Sequence, residues 1–455
     1  MSQSLFDKET SDSEAWHLRG NWGPVKEELT SSELYVKGKI PEGLNGLYVR
    51  NGMNPRSGHS DHWFFGNGML HGFKLKNGKA SYKNRYIKTP YYEKDLDVIS
   101  SFGDLSASSA NTHIVKHAGK LLALEEAHLP WEVDEELKTK GVYDFSGKLT
   151  GAMTAHPRIC PKTGELLFFS YSIMSEPYLT YYRVNKRGEL IQTEPVQLPR
   201  AVMMHDWNVT ENYVVFMDLP IIADMNLAAE TGSPFGFKPE CGARLGVMPR
   251  DGSNQDIKWF EIEPCMVFHS FNSYEEGNKI ILYVCRQKEA MVGGFQDIYS
   301  GDTTMGRLWK WTIDLDLGEV KEEQIDDAPC DFPRIDDRRT GQKTDYGYCM
   351  TFDNQADSLT LGRHVLKYDL VNKKRLIHDL GEGVKGGEPV FVPKSKDSDE
   401  DDGWVLVLAH EEEGAKSKLL VIDSQNFESP PVAEIYSPQR IPYGAHGNWM
   451  PLENS

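Results

Sequence analysis

Three histidines fall in one recurring slot of this chain: His156 in Thr-Ala-His-Pro-Arg, His205 in Met-Met-His-Asp-Trp and His269 in Val-Phe-His-Ser-Phe, each shortly before an apolar strand. A fourth, His446 in Gly-Ala-His-Gly-Asn-Trp, lies on the last strand candidate. Imidazole suits iron, zinc, copper and nickel, so four histidines without a cysteine or carboxylate mark a metal site and leave the metal open. A structural zinc would close a tetrahedron, whereas an octahedral ion on four histidines keeps positions free for oxygen and a substrate. Taken singly, a histidine is ordinarily a hydrogen-bonded core or turn residue. The shared slot is what singles these out among the chain's 14. His17, His59, His62, His71, His117, His364 and His378 lack that placement and are expected to be structural, and His113 and His128 are not tied to it either.

Metal-bound imidazoles need acceptors on their other ring nitrogen, which fix tautomer and ring direction. Three acidic positions present themselves: Glu126 after an apolar strand, Asp331 in Cys-Asp-Phe-Pro-Arg-Ile, and Glu388 in Gly-Gly-Glu-Pro-Val-Phe-Val-Pro. Glu126 and Glu388 abut apolar strands, where a carboxylate is costly unless paired. Asp331 reads either as such an acceptor or as the cap of a turn before Phe332-Pro333.

Something must bring positions so far apart in sequence to one point. A hairpin theme recurs, of an aromatic or β-branched strand, a turn with Gly, Asp or Asn, and a second short strand, as in Gly72–Gly78, Tyr181–Gly188, Leu245–Gly252 and Leu308–Gly318. Ahead of most copies lies an apolar strand that reads as buried: Leu121–Leu124, Leu166–Phe169, Tyr213–Met217, Ile280–Val284 and Trp404–Leu408. Units of about four strands begin near Leu47, Ala110, Thr154, Met203, Val267, Thr344 and Glu388. That radial repetition predicts an all-β, seven-bladed β-propeller in which the first strand of each blade lines the axis, so equivalent slots point at a shared centre. The strand of His446 would close the ring against the first blade. Trp131–Lys140 and Leu219–Glu230 read as loop excursions with short helices, roofing one face, and the acidic run Lys396–Asp402 as a solvated hairpin loop. Residues 1–455 are expected to form one domain, with about 1–20 a flexible tail.

Bulk properties exclude several function classes. A formal charge of −18 without a basic stripe argues against nucleic acid as partner. Six scattered cysteines without C-x-x-C spacing, and a start lacking an apolar signal core, fit a reducing cytoplasm. No apolar run approaches the ~20 residues of a membrane span, so membrane contact is expected to be peripheral.

From Gly46-Leu-Tyr-Val-Arg-Asn-Gly52 to His446-Gly-Asn-Trp449 the chain resembles the carotenoid cleavage oxygenase family. Carrying stretches include Trp63–His71, Ala110-Asn-Thr-His-Ile-Val115, Leu121-Leu-Ala-Leu-Glu-Glu126, Glu388–Pro393 and the four histidine motifs in order. The resemblance implies a propeller with a loop and helix dome, and Fe(II) on His156, His205, His269 and His446. It places Glu126 behind His205, Glu388 behind His446 and Asp331 behind His269, with no carboxylate for His156. The family usually has Glu where Asp331 stands, so either the bond to His269 is expected to be longer, bent or water-bridged, or the shorter side chain to pull its strand inward. Thr112 matches a position near the open coordination site. An apolar polyene and O2 are the implied reactants, and two carbonyls the products. A stilbene-cleaving branch uses a lysine immediately before the first of these glutamates; this chain has Glu125 there, which favours carotenoids or apocarotenoids. A non-catalytic propeller scaffold and a metal-dependent hydrolase are the competing classes. Because such substrates dissolve in lipid, Leu219–Leu227 is expected to dock on membranes or lipid droplets, with a helix packed on the dome as the other reading.

Overall fold

The computed structural model describes residues 15–295, 298, 301–353, 361–414 and 416–452. Seven antiparallel sheets radiate about one axis as the blades of a propeller. Blade 3 shows the plan: Arg158–Ile159, Leu166–Tyr171, Leu179–Val184 and Leu190–Val196, in order from the axis outward. Its second strand is a continuous apolar run because neighbouring blades cover both faces, while the outermost strand alternates exposed with half-buried residues between buried ends.

Blades are held by apolar contact between their faces. Between blades 3 and 4, Trp207 stacks on Phe216 with Phe169 and Tyr181 edge-on. Burying one such side chain is worth ~1.5–3 kcal/mol, against ~0–1 kcal/mol for an exposed ion pair. These interfaces, more than the many surface ion pairs, therefore hold the ring.

Closure comes from the chain ends. Gly447–Pro451 pairs with Gly46–Met53 and becomes the axial strand of blade 1. A Cβ at Gly46 would overlap the Trp449 indole, so the seam requires glycine there. Val36–Gly38 meanwhile adds the outer edge of blade 7.

Antiparallel alternation explains where the dome sits. In a four-stranded blade, the connection between strands two and three and the one leading into the next blade emerge at the same end. Most long excursions are of these two kinds, 54–67, 87–112, 143–157, 197–207 and 219–242, whereas 335–345 joins the first two strands of its blade at the other end. The three slot histidines and His446 all stand where the chain re-enters an axial strand, so they share that end with the dome. It carries the short helices Pro90–Glu93, Val98–Ser101 and Met225–Thr231, capped by Thr89, Asp97 and Asp224.

Several expectations need correction. Trp131–Lys140 is no loop excursion, because Trp131–Val133 and Thr139–Val142 complete blade 2 around a tight turn. In Leu219–Glu230 a strand precedes the helix and a second follows it, Ile221–Ala223 pairing with Phe235–Phe237; Leu219 and Ile221 are buried in the core, whereas Met225 is exposed. Blade 6 starts at Cys330–Arg334, ahead of Thr344. Within the acidic run Glu400 is buried, accepting hydrogen bonds from the Thr344 hydroxyl and the Asp345 and Tyr346 amides. Of the expected tail, residues 1–14 lie outside the described residues, while Trp16 packs edge-on against Trp22, which meets Trp63 and Tyr443. No helix among the described residues is long and apolar enough to cross a membrane.

Candidate metal centre

Four blades deliver one imidazole each to the axis. Ring centroids of His156 lie 4.5 Å from His205, 5.0 Å from His269 and 4.7 Å from His446, and His269 is 4.8 Å from His446. The Nε2 atoms of His156 and His205 are 3.0 Å apart and those of His205 and His269 3.3 Å. Ligand nitrogens of His156, His269 and His446 all fall within 4.8 Å of one another. His156, His269 and His446 are buried, and His205 keeps slight exposure.

Carboxylates set the tautomers. Glu126 meets His205 Nδ1 at 3.0 Å, Asp331 meets His269 Nδ1 at 2.8 Å and Glu388 meets His446 Nδ1 at 2.8 Å. An ionised carboxylate only accepts, so Nδ1 carries the proton and the Nε2 lone pair faces the axis. Three such lone pairs converge with His156 and leave each other without a donor. A cation answers that arrangement. Nitrogens ~2.1 Å from an ion and at right angles are ~3 Å apart, which the 3.0 and 3.3 Å separations match. The residues present therefore fit a histidine-bound metal.

The local field agrees. Burial, and then repulsion from neighbouring imidazoles, pushes His156 and His446 well below the usual histidine range, leaving them neutral donors. Burial acts the same way on His205, but the Glu126 carboxylate outweighs it and raises that pKa. His205 is thus where a proton would compete with a metal.

Of the alternatives for Asp331, the structure overturns the longer or water-bridged bond. Its 2.8 Å bond is direct, and the backbone beside it is irregular: register with Tyr346–Phe352 breaks between Asp331 and Arg334, and Phe332 takes a left-handed φ of 54°. Asp331 also accepts the Phe332 amide at 2.8 Å, so the turn-cap reading and the histidine partner coexist. Thr112 touches the centre through its backbone, its carbonyl accepting the His446 amide at 3.0 Å, while its hydroxyl donates to Asn111. Glu125 is committed to His128 at 2.5 Å.

Sequence reasoning missed several partners. Tyr171 donates to Glu126, and Arg334 grips the second oxygen of Glu388 together with the Gly447 amide. Arg334 stood in the Cys-Asp-Phe-Pro-Arg-Ile stretch, where a cation entering an axial strand was the available signal. Phe332 stacks on His269 and lies edge-on to His446, and Phe268 lies edge-on to His205, giving the centre an apolar wall. His113 belongs to the scaffold: Nδ1 bonds the Ala155 carbonyl, Nε2 takes the Asn448 amide, and burial drives its pKa down to about 3.

A propeller with a carboxylate-braced imidazole cluster on its axis defines a class of metalloprotein. The sequence profile described as retinal pigment epithelial membrane protein matches residues 22–451. A carotenoid 9,10(9′,10′)-cleavage dioxygenase of Crocus sativus is 35% identical, covering 94% of this chain and 88% of its own. An isoeugenol monooxygenase of Pseudomonas putida is 30% identical over 95% of this chain and 97% of its own. Among solved structures, a Pseudomonas brassicacearum lignostilbene dioxygenase superposes with a TM-score of 0.87 at 29% identity, covering 97% of this chain and 100% of its own. The chain belongs to this family, that of the carotenoid cleavage oxygenases.

Proposed function

We propose that this protein is a non-haem Fe(II) dioxygenase that cleaves a C=C bond of a carotenoid or apocarotenoid, placing one atom of O2 on each carbon to give two carbonyl products. The observation carrying this reading is the convergence of four imidazoles, three of them held by carboxylates, beside the Phe268 and Phe332 rings. His156, His205, His269 and His446 would hold the iron, and Glu126, Asp331 and Glu388 would keep three of them in the donor tautomer. When bound, ferrous iron supplies activation of O2 beside the alkene. Phe332 and Phe268 line the centre with apolar rings and exclude water. The overall reaction transfers no proton, and no Ser-His-Asp set is needed.

Carotenoid-type substrates are favoured over hydroxystilbenes by Glu125, whose carboxylate stands where the stilbene-cleaving branch has a lysine and is engaged by His128 and the Ala127 amide. Incubating the iron-loaded protein with carotenoids, apocarotenoids, hydroxystilbenes and isoeugenol under labelled O2 tests the assignment. Aldehydes or ketones from a polyene, each carrying label, are expected. Unlabelled products would instead indicate a hydrolase, and absence of turnover and of bound metal a scaffold.

Access of a lipid-soluble substrate points to peripheral membrane contact. On the dome helix Val98–Ser101 and its flank, Ile99 and Phe102 expose 60% and 61% of their surface, beside Val98. Ile99→Ser with Phe102→Ser is expected to abolish flotation with liposomes at unchanged Tm. Flotation equal to wild type would remove this patch from membrane binding.

A further inference from the structure

His156 has no carboxylate on its Nδ1 among the described residues, so something else must fix it. Its carbonyl accepts the indole N–H of Trp207 at 2.9 Å. Two residues on, Arg158 Nη2 donates to Asp206 Oδ1 at 2.6 Å and to the Trp207 carbonyl at 3.1 Å. Asp206 directly follows His205 and is buried; its Oδ1 also accepts the Trp207 amide, and its Oδ2 accepts the amide of Ser270, the residue after His269, at 2.8 Å. One carboxylate therefore links the segments of three of the four histidines, two through backbone amides and that of His156 through the Arg158 side chain. Across the axis Arg334, Glu388 and Gly447 make the equivalent clamp for His446.

We propose that Asp206, paired with Arg158, is a positioning residue that holds His156 in place and sets the spacing of the His156, His205 and His269 nitrogens. This rests on the reading of the axis as a metal centre. Desolvating an ion pair offsets most of its attraction, so a buried pair is a poor device for stability alone. Its value here is geometric: it fixes the register of three adjacent axial strands where they leave the dome. An amide in place of the carboxylate keeps the shape, but it turns an N–H donor toward either the Ser270 amide or the Arg158 guanidinium. One link must then open.

A control lies in the same blade. Arg244 and Asp218 form a similar pair at 2.8 Å, with Asp218 as buried as Asp206, and neither is bonded to a histidine segment. Apo protein titrated with Co(II) or Fe(II) against a competing chelator, with the Co(II) visible spectrum and Tm recorded, separates the roles. Asp206→Asn is expected to bind metal ~10–100-fold more weakly, as for other outer partners of metal ligands, with an altered Co(II) spectrum. Asp218→Asn should lower Tm at unchanged affinity and spectrum. Arg158→Lys, retaining the charge, should recover part of the affinity lost in Arg158→Met, and that pair of variants decides the matter if Asp206→Asn does not fold. Unchanged affinity and spectrum in Asp206→Asn or Arg158→Met, with only Tm reduced, would overturn the proposal. If wild type and His269→Ala bind metal alike, the metal-centre reading itself fails; if only His269→Ala loses metal, the failure is confined to Asp206.

Discussion

His269→Ala is expected to remove bound iron and turnover together and to lower Tm as well. Its ring lies 5.0 Å from His156, 5.1 Å from His205 and 4.8 Å from His446, so its loss opens the centre to all three. Loss of a ligand should exceed the ~10–100-fold weakening that follows loss of an outer partner. Stability falls for a separate reason. Asp331 is fully buried, and removal of the imidazole takes away the donor its carboxylate meets at 2.8 Å, a loss of ~1–3 kcal/mol. Phe332 also loses the ring it stacks on. The double variant His269→Ala with Asp331→Ala should recover part of the Tm and none of the metal. Elemental analysis of purified protein beside thermal melts reads both. Stoichiometric iron retained in His269→Ala would sink the metal assignment, as would stoichiometric zinc with full activity in iron-free wild type.

The histidines were legible because a propeller repeats one environment: each blade re-enters the axis at the dome end, and His156, His205 and His269 mark that point before recognisable buried strands. Blade 6 was harder to delimit. Its axial strand Cys330–Arg334 is short, contains a proline and bulges after Asp331, so it resembles a turn preceding the longer Tyr346–Phe352 strand. Trp131–Val133 and Thr139–Val142 were hidden by brevity and by the turn between them, where Leu137 takes a φ of 60°. Leu219–Leu227 mixes apolar residues with proline and aspartate, which suits a surface helix until Phe235–Phe237 folds back to bury Ile221. Asp206 and Arg158 stood beside histidines already singled out, yet their pairing spans 48 residues and two blades, and no local pattern reports it. Glu400 shows the same limit in reverse, a member of an acidic run whose partners, Thr344 to Tyr346, lie in another blade.

Asp331 carries the second large effect, and reach decides it more than charge, since aspartate and glutamate have similar acidity. The strand is already irregular beside the shorter side chain: the backbone bulges after Asp331 and Phe332 adopts a left-handed conformation that costs a non-glycine residue ~1–2 kcal/mol. Asp331→Ala removes the acceptor from His269 Nδ1 and frees the ring to turn or change tautomer, so metal binding and activity should fall ~10–100-fold. Asp331→Glu adds a methylene at a fully buried position. Either the bulge persists and the site is overpacked, at ~1–3 kcal/mol, or the bulge relaxes and draws Phe332 away from His269. In both cases a carboxylate still reaches Nδ1. Asp331→Glu is therefore expected to keep its iron and remain active while melting at a lower temperature, the opposite ordering from Asp331→Ala on metal affinity. Chelator competition and thermal melts on the two variants read the difference. Should Asp331→Ala lower Tm yet bind iron and turn over like wild type, the carboxylate serves only to cap the turn at the Phe332 amide, and the bond to His269 has no part in holding the metal.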